Sequence, residues 1–203
     1  MKSQTKKIAI TGSIGSGKSA FCKILSEKGY TVVNADELSK ELLVTNKDVK
    51  NKIIQAFGNE SYINNEINKK YIADKAFSSS INVQKINSII HPVVVSEIKK
   101  IFNEKEGKEK IIFVEAALIY EADMESMFEY VVLVTSNKGI RKERKIGNSS
   151  MTADEFEKRD MNQIPDSEKK KRADFVFENN SSFDELKNKV GLLIILLTSE
   201  SND

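Results

Sequence analysis

The 203-residue chain has one cysteine, one histidine and no tryptophan. A lone cysteine, Cys22, excludes an intramolecular disulfide and a cysteine-built zinc site. A lone histidine, His91, excludes a histidine-cluster metal site and argues against a Ser-His-Asp triad. Aromatic residues make up only 7% of the chain, too few for the aromatic belts that mark a membrane interface. The longest late apolar run, Leu192–Leu197, has six residues, whereas a membrane span needs roughly 20. The first lysines precede only three apolar residues before Thr11, so no signal-peptide core follows them. A cytoplasmic protein is the expectation. An excess of one charge is also missing. Lys and Arg number 32 against 30 Asp and Glu, a net charge of +2. That is not the field of a dedicated nucleic-acid binder.

What remains is a soluble, globular balance of 39% hydrophobic and 31% charged residues. The length fits one domain with small attached subdomains. Ile8-Ala9-Ile10 reads as a buried strand. Phe21, Ile24 and Leu25 then fall on one helical face, and Gly29 supplies a stop. Thr31-Val32-Val33 is a second, β-branched strand. Strand, helix and strand in this order make a βαβ unit and predict a parallel sheet. From Glu37 to about Lys105 the pattern is mostly helical, with a kink or break expected at Pro92. Beyond Pro92 the apolar stripe resumes with Val95, Ile98 and Phe102. Ile111–Val114, Tyr130–Val134 and Phe175–Phe177 read as three further strands. A polar, arginine- and lysine-bearing segment, Ser136–Arg172, separates the last two. A helix with Leu186, Val190 and Leu193 on one face closes the chain.

Gly12-Ser13-Ile14-Gly15-Ser16-Gly17-Lys18-Ser19 matches G-x-x-x-x-G-K-[ST] and lies between a predicted strand and a predicted helix. Each residue type has a physical task. Glycines let the backbone curl and aim its N–H groups at an anion. The helix start adds its positive end. Lys18 reaches terminal phosphates, and the Ser19 hydroxyl can ligate Mg²⁺. Cys22, one turn on, reads as packing filler. Guanine specificity is not supported. Asn137-Lys138-Gly139-Ile140 lacks the aspartate of N-K-x-D, and no D-x-x-G switch element exists. A small-molecule kinase is the better class.

Three further features bear on an acceptor. Asp36, after the second strand, is either a base for an acceptor hydroxyl or a helix N-cap. Glu115, ending the third strand, either holds a magnesium-bound water or is a solvated strand end. Glu121 either meets substrate or caps a helix. Arg144 and Arg159 lie in a predicted helical hairpin that could bring positive charge to a moving phosphate. An RNA-binding regulator using these basic residues is the rival of a different class. The patch lacks the interleaved aromatics that such binding favours.

The sequence as a whole resembles the dephospho-coenzyme A kinase family. The residues that carry the resemblance are Thr11–Ser19, Asn34-Ala35-Asp36, His91-Pro92 and Glu115–Glu121, followed by Arg144, Arg159 with Gln163, Lys169, Ala173-Asp174 and Asn179. The resemblance implies an α/β fold of the P-loop NTPase type, three-layered α/β/α with a five-stranded parallel sheet. It implies a core of residues 1–44, 106–136 and 172–199, a helical acceptor-binding region at 45–105 and a lid at 137–171. It implies ATP and Mg²⁺ as cofactors and phosphorylation of the ribose 3′-hydroxyl of dephospho-CoA. Catalytic roles fall to Asp36, Lys18 and Arg144. Gly12, Gly15, Ser16, Gly17, Lys18, Ser19, Ala20, Arg144 and Arg159 would hold ATP. Asp36, His91 and Glu121 would meet the acceptor. Ser19, and Glu115 through water, would hold the metal. No nucleic-acid or membrane partner is expected, and the assembly is expected to be a monomer or a weak homo-oligomer. The alternatives are another P-loop kinase and a weakened, regulatory P-loop protein. Five features, six residues in all, depart from the family pattern. Asn34 and Glu115 each replace an aspartate, Ala116-Ala117 lose a proline, Arg141 stands for a common glutamine, and Asn148 stands for a common second lid arginine.

Overall fold

The first strand is buried without a break from Ile8 to Thr11. β1 (Lys6–Thr11) leads through the glycine-rich loop to α1 (Lys18–Glu27), and β2 (Thr31–Asn34) follows. A left-handed Gly29, at φ 88°, ends α1. The Tyr30 N–H then donates back to the Leu25 carbonyl at 3.2 Å, a Schellman-type closure. The computed structural model describes residues 4–77, 79–148 and 151–199. The chain divides into two units, one of residues up to Val33 together with Lys105 onward, the other Asn34–Glu104.

The second unit holds α2 (Ala35–Thr45), α3 (Lys47–Phe57), β3 (Tyr62–Ile63), β4 (Glu66–Ile67), α4 (Lys69–Phe77) and most of α5 (Ser80–Lys105). Asn34 caps α2, its side chain accepting from the Glu37 N–H at 3.0 Å. Asn46 caps α3 in the same way. The stretch is mostly helical, as expected, and the short β3–β4 hairpin is an addition that the pattern did not reveal. Its turn residues, Asn64 and Asn65, have φ of 50° and 69°. Asparagine tolerates that region, and two such residues in a row favour a tight hairpin. Of the kink or break expected at Pro92, the break does not occur, because α5 runs through the proline. Ile90, Val94, Ile98 and Phe102 are buried on one stripe that straddles the proline. Burial of that stripe outweighs the missing N–H. Val94, rather than Val95, faces inward.

The first unit resumes with β5 (Ile111–Glu115) and β6 (Tyr130–Thr135), then α6 (Lys138–Asn148), α7 (Ala153–Met161), α8 (Asp166–Arg172), β7 (Phe175–Glu178) and α9 (Phe183–Ser199). The sheet order is β2-β5-β1-β6-β7, with β1 parallel to both β5 and β6 and β6 parallel to β7. Asp174 fixes the β7 register. It accepts from the Val131 N–H at 2.7 Å, and its own N–H donates to the Val131 carbonyl at 2.9 Å. Ile8, Ile10, Phe113, Val132, Val134 and Phe177 point to one face and pack with Phe21, Leu25, Leu186, Val190 and Leu193 of α1 and α9. Ala9, Ile112, Val114 and Leu133 of the opposite face are fully buried. Thr152 and Glu155 form a reciprocal capping box at the start of α7. Among the described residues no helix is long and apolar enough to cross a membrane. Phe113 is fully buried at the centre of the core. Phe113→Ala is expected to cost about 3–5 kcal/mol, read from denaturant unfolding with an unchanged m-value.

Candidate active site

The register of the sheet places the site. Ile10 pairs with Glu115 on one side of β1, and Thr11 with Leu133 on the other. The loop Gly12–Ser19 therefore leaves β1 at the point where neighbouring connections diverge, the usual crevice for a ligand in such sheets. The Ser16 N–H donates to the Ser13 carbonyl at 3.0 Å, closing the loop on itself. Gly15 and Gly17 take φ of 79° and 95°, a region that side chains disfavour. A Cβ on Gly15 would lie 2.4 Å from the Arg141 carbonyl oxygen, and one on Gly17 would lie 2.1 Å from Asn179 Nδ2. Gly15→Ala is thus expected to abolish ATP binding while leaving the rest of the fold intact. Calorimetric titration with ATP, alongside circular dichroism, tests this.

Lys18 and Ser19 share one carboxylate. The Lys18 ammonium donates to Glu115 Oε1 at 2.7 Å, and the Ser19 hydroxyl donates to the same oxygen at 2.7 Å. Lys18 is 8% exposed and Glu115 only 4%. Glu115 is therefore a buried, paired acid and not a solvated strand end. A buried charge of this kind persists only when paired and hydrogen-bonded. The hydroxyl and carboxylate are hard oxygen donors suited to Mg²⁺. Among the described residues no group of three His, Cys, Asp or Glu could form a cage. Ser16 Oγ is buried with no hydrogen-bond partner, which suits a phosphate oxygen. Cys22 is buried in the core, and burial together with the Glu115 charge pushes its thiol well up. It is the packing residue expected. In the folded protein Cys22 should resist a thiol reagent at pH 8 and react only on unfolding. Prompt stoichiometric labelling would contradict this burial.

The loop is braced from outside. Arg144 donates to the Ser16 carbonyl at 3.4 Å and to the Asn179 carbonyl at 3.0 Å. Asn179 Nδ2 donates to the same Ser16 carbonyl at 2.9 Å. Gln163 accepts from the Ile14 N–H at 2.9 Å. Asp166 accepts from the Ser13 hydroxyl, and from the Thr135 hydroxyl at 2.5 Å. Arg144 thus stands against the loop. Arg159 is exposed, and the charge facing it is Glu155, one turn back on α7. Glu121 accepts from the Ile164 N–H at 2.8 Å and pairs with the fully buried Lys169 at 3.1 Å. Its contacts tie the segment before α8 to the loop after β5. Gly12 is buried, and Ala20 packs partly buried on the core. Asp36 is the second residue of α2 and exposed. Asn34 provides the cap, so Asp36 is not the N-cap. His91 is half-buried in α5. The Asn148 side chain lies outside the described residues. Arg141, Asp160 and Asp166 were not assigned roles from sequence. Arg141 and Asp160 lie on different helices, so no local pattern links them.

A P-loop at the switch point of a parallel sheet, with its lysine and hydroxyl on a buried acid and arginine at its rim, defines a nucleotide-binding phosphotransferase. The dephospho-CoA kinase family model matches residues 6–185. The chain belongs to the dephospho-CoA kinase family. It is 32% identical over 190 residues to the dephospho-CoA kinase of Chlamydia caviae, covering 91% of this chain and 92% of that protein. It is 33% identical over 184 residues to that of Fusobacterium nucleatum, covering 90% and 94%. Among solved structures, TT1252 from Thermus thermophilus superposes with a TM-score of 0.82 at 25% identity, covering 96% of this chain and 98% of that one. A shikimate kinase from Acinetobacter baumannii shares the fold, with a TM-score of 0.59 at 13% identity over 98% and 96% of the two chains.

Proposed function

We propose that the protein transfers the γ-phosphoryl group of ATP to the ribose 3′-hydroxyl of dephospho-CoA, giving CoA and ADP. The observation that carries this reading is the cradle itself. Lys18 and Ser19 meet one buried carboxylate oxygen, 2.7 Å from each, inside a chain of this family. Lys18 and Arg144 place positive charge on the transferring group. Phosphoryl transfer needs little else from the protein beyond positioning and charge. Asp36 takes the hydroxyl proton as the ribose oxygen bonds to phosphorus and the bond to the β-phosphate oxygen breaks. Ser19 would hold Mg²⁺ directly and Glu115 through a water. When bound, the ion neutralises charge on the β- and γ-phosphate oxygens. In this reading residues 45–105, with His91, receive the acceptor, and residues 137–171, with Arg159, act as a lid.

The test is ADP release with Mg-ATP against dephospho-CoA, adenosine, nucleoside monophosphates, pantothenate and no acceptor. Turnover with dephospho-CoA alone, giving a 3′-phosphorylated product, is expected. Turnover with another acceptor, or with none, overturns the reading. Asp36→Asn should keep ATP affinity and lower kcat by about 10²–10⁴-fold, the usual weight of a general base. An unchanged kcat removes Asp36 from the chemistry.

A further inference from the structure

The peptide groups of the phosphate loop explain why it is braced from outside. Among the described residues there is no cis peptide bond, and in a trans peptide the carbonyl and the following N–H point in opposite directions. A donor that holds the Ile14 carbonyl on the outer side therefore aims the Gly15 N–H to the inner side. The same holds for the Ser16 carbonyl and the Gly17 N–H. Arg144 and Asn179 do this at Ser16. At Ile14 the donor is Arg141, whose guanidinium reaches the carbonyl at 3.1 Å.

Arg141 is itself over-determined. It is 6% exposed. Its Nε donates to the Ser136 carbonyl at 3.1 Å, and its Nη1 also meets Asp160 Oδ1 at 2.6 Å. The guanidinium lies over the ring of the fully buried Phe156, 5.8 Å from its centroid. Asp160 uses its other oxygen on Lys138 at 3.2 Å. The Arg141 backbone closes against Gly15 as well. One buried side chain thus joins the end of β6, the helical hairpin α6–α7 and the crest of the phosphate loop. A planar fork of donors suits this, and neither lysine nor glutamine can reproduce it.

We infer that Arg141, held by Asp160, is a positioning residue for ATP: it fixes the Ile14 carbonyl and so aims the Gly15 N–H into the cradle. This rests on the reading that ATP occupies the loop. An aimed amide serves ground state and transition state alike, so its loss weakens binding and spares the chemical step.

The test is ATP affinity by calorimetry without acceptor, followed by steady-state kinetics. Arg141→Gln should lower ATP affinity about tenfold, the order at which supporting residues typically act. Its kcat at saturating ATP should stay within about twofold of wild type, the mark of lost uniform binding. Asp160→Asn keeps an acceptor oxygen opposite the guanidinium and should show a smaller loss in the same direction. It carries the test alone should the arginine variant fail to fold. The double variant should match Arg141→Gln, because the hold of Asp160 on the phosphate loop runs through Arg141. Unchanged ATP affinity in the folded single variants, additive losses in the double variant, or a fall in kcat with affinity intact would each overturn the inference. Affinity is read without acceptor. A tenfold loss therefore upholds Arg141 even where wild-type protein leaves dephospho-CoA unphosphorylated, a result that overturns the functional reading instead.

Discussion

A loop built from glycines has few side chains with which to hold its own shape. Its curvature has to be imposed by neighbours, and in this protein they act on its outward carbonyls. The hydrogen bonds to the Ser16 carbonyl from Arg144 and Asn179 depend in turn on the sheet. Asn179 follows β7, and its N–H is tied to the Thr135 carbonyl at 2.7 Å. Thr135 ends β6, whose partner β1 delivers the loop itself. Strand register therefore reaches the phosphate cradle through two peptide groups. Packing that holds β6 and β7 in place also holds the amides in place.

Charge organises the inner side of the loop. Lys18 and Glu115 are both nearly buried, and neither ion is tolerable there without the other. Glutamate in place of the family's aspartate lengthens the arm by one methylene. In this chain the longer arm ends with a single oxygen that serves both the ammonium and the Ser19 hydroxyl. Asn34, the other replacement of an aspartate, keeps its structural use, because asparagine caps a helix as well as aspartate does. These two departures leave local geometry in working order.

Much of this was legible in the chain. The five strands of the main sheet are short apolar runs, and the phosphate loop is a pattern with a mechanism behind each position. Other parts were hidden for physical reasons. The β3–β4 hairpin has two residues per strand, too few for alternation to register, and only Asn64-Asn65 hints at the turn. Pro92 signals a break by local rules, yet burial of the stripe from Ile90 to Phe102 carries the helix through. Glu121 proved to be a tie to Ile164 and Lys169, partners 43 and 48 positions away that its own neighbourhood does not reveal. The Arg141–Asp160 pair spans two helices and shows no periodic signal. Tertiary partners chosen across space leave no trace in spacing.

The burial of Cys22 has a chemical consequence for a protein acting on coenzyme A precursors. The proposed acceptor and its product each carry a free thiol at the far end from the ribose. Such compounds readily form mixed disulfides with accessible, ionised cysteines. Here the only protein sulfur able to do so is sealed in the core, and burial and a neighbouring carboxylate keep it protonated. The catalyst can meet its own substrate thiol without being capped by it.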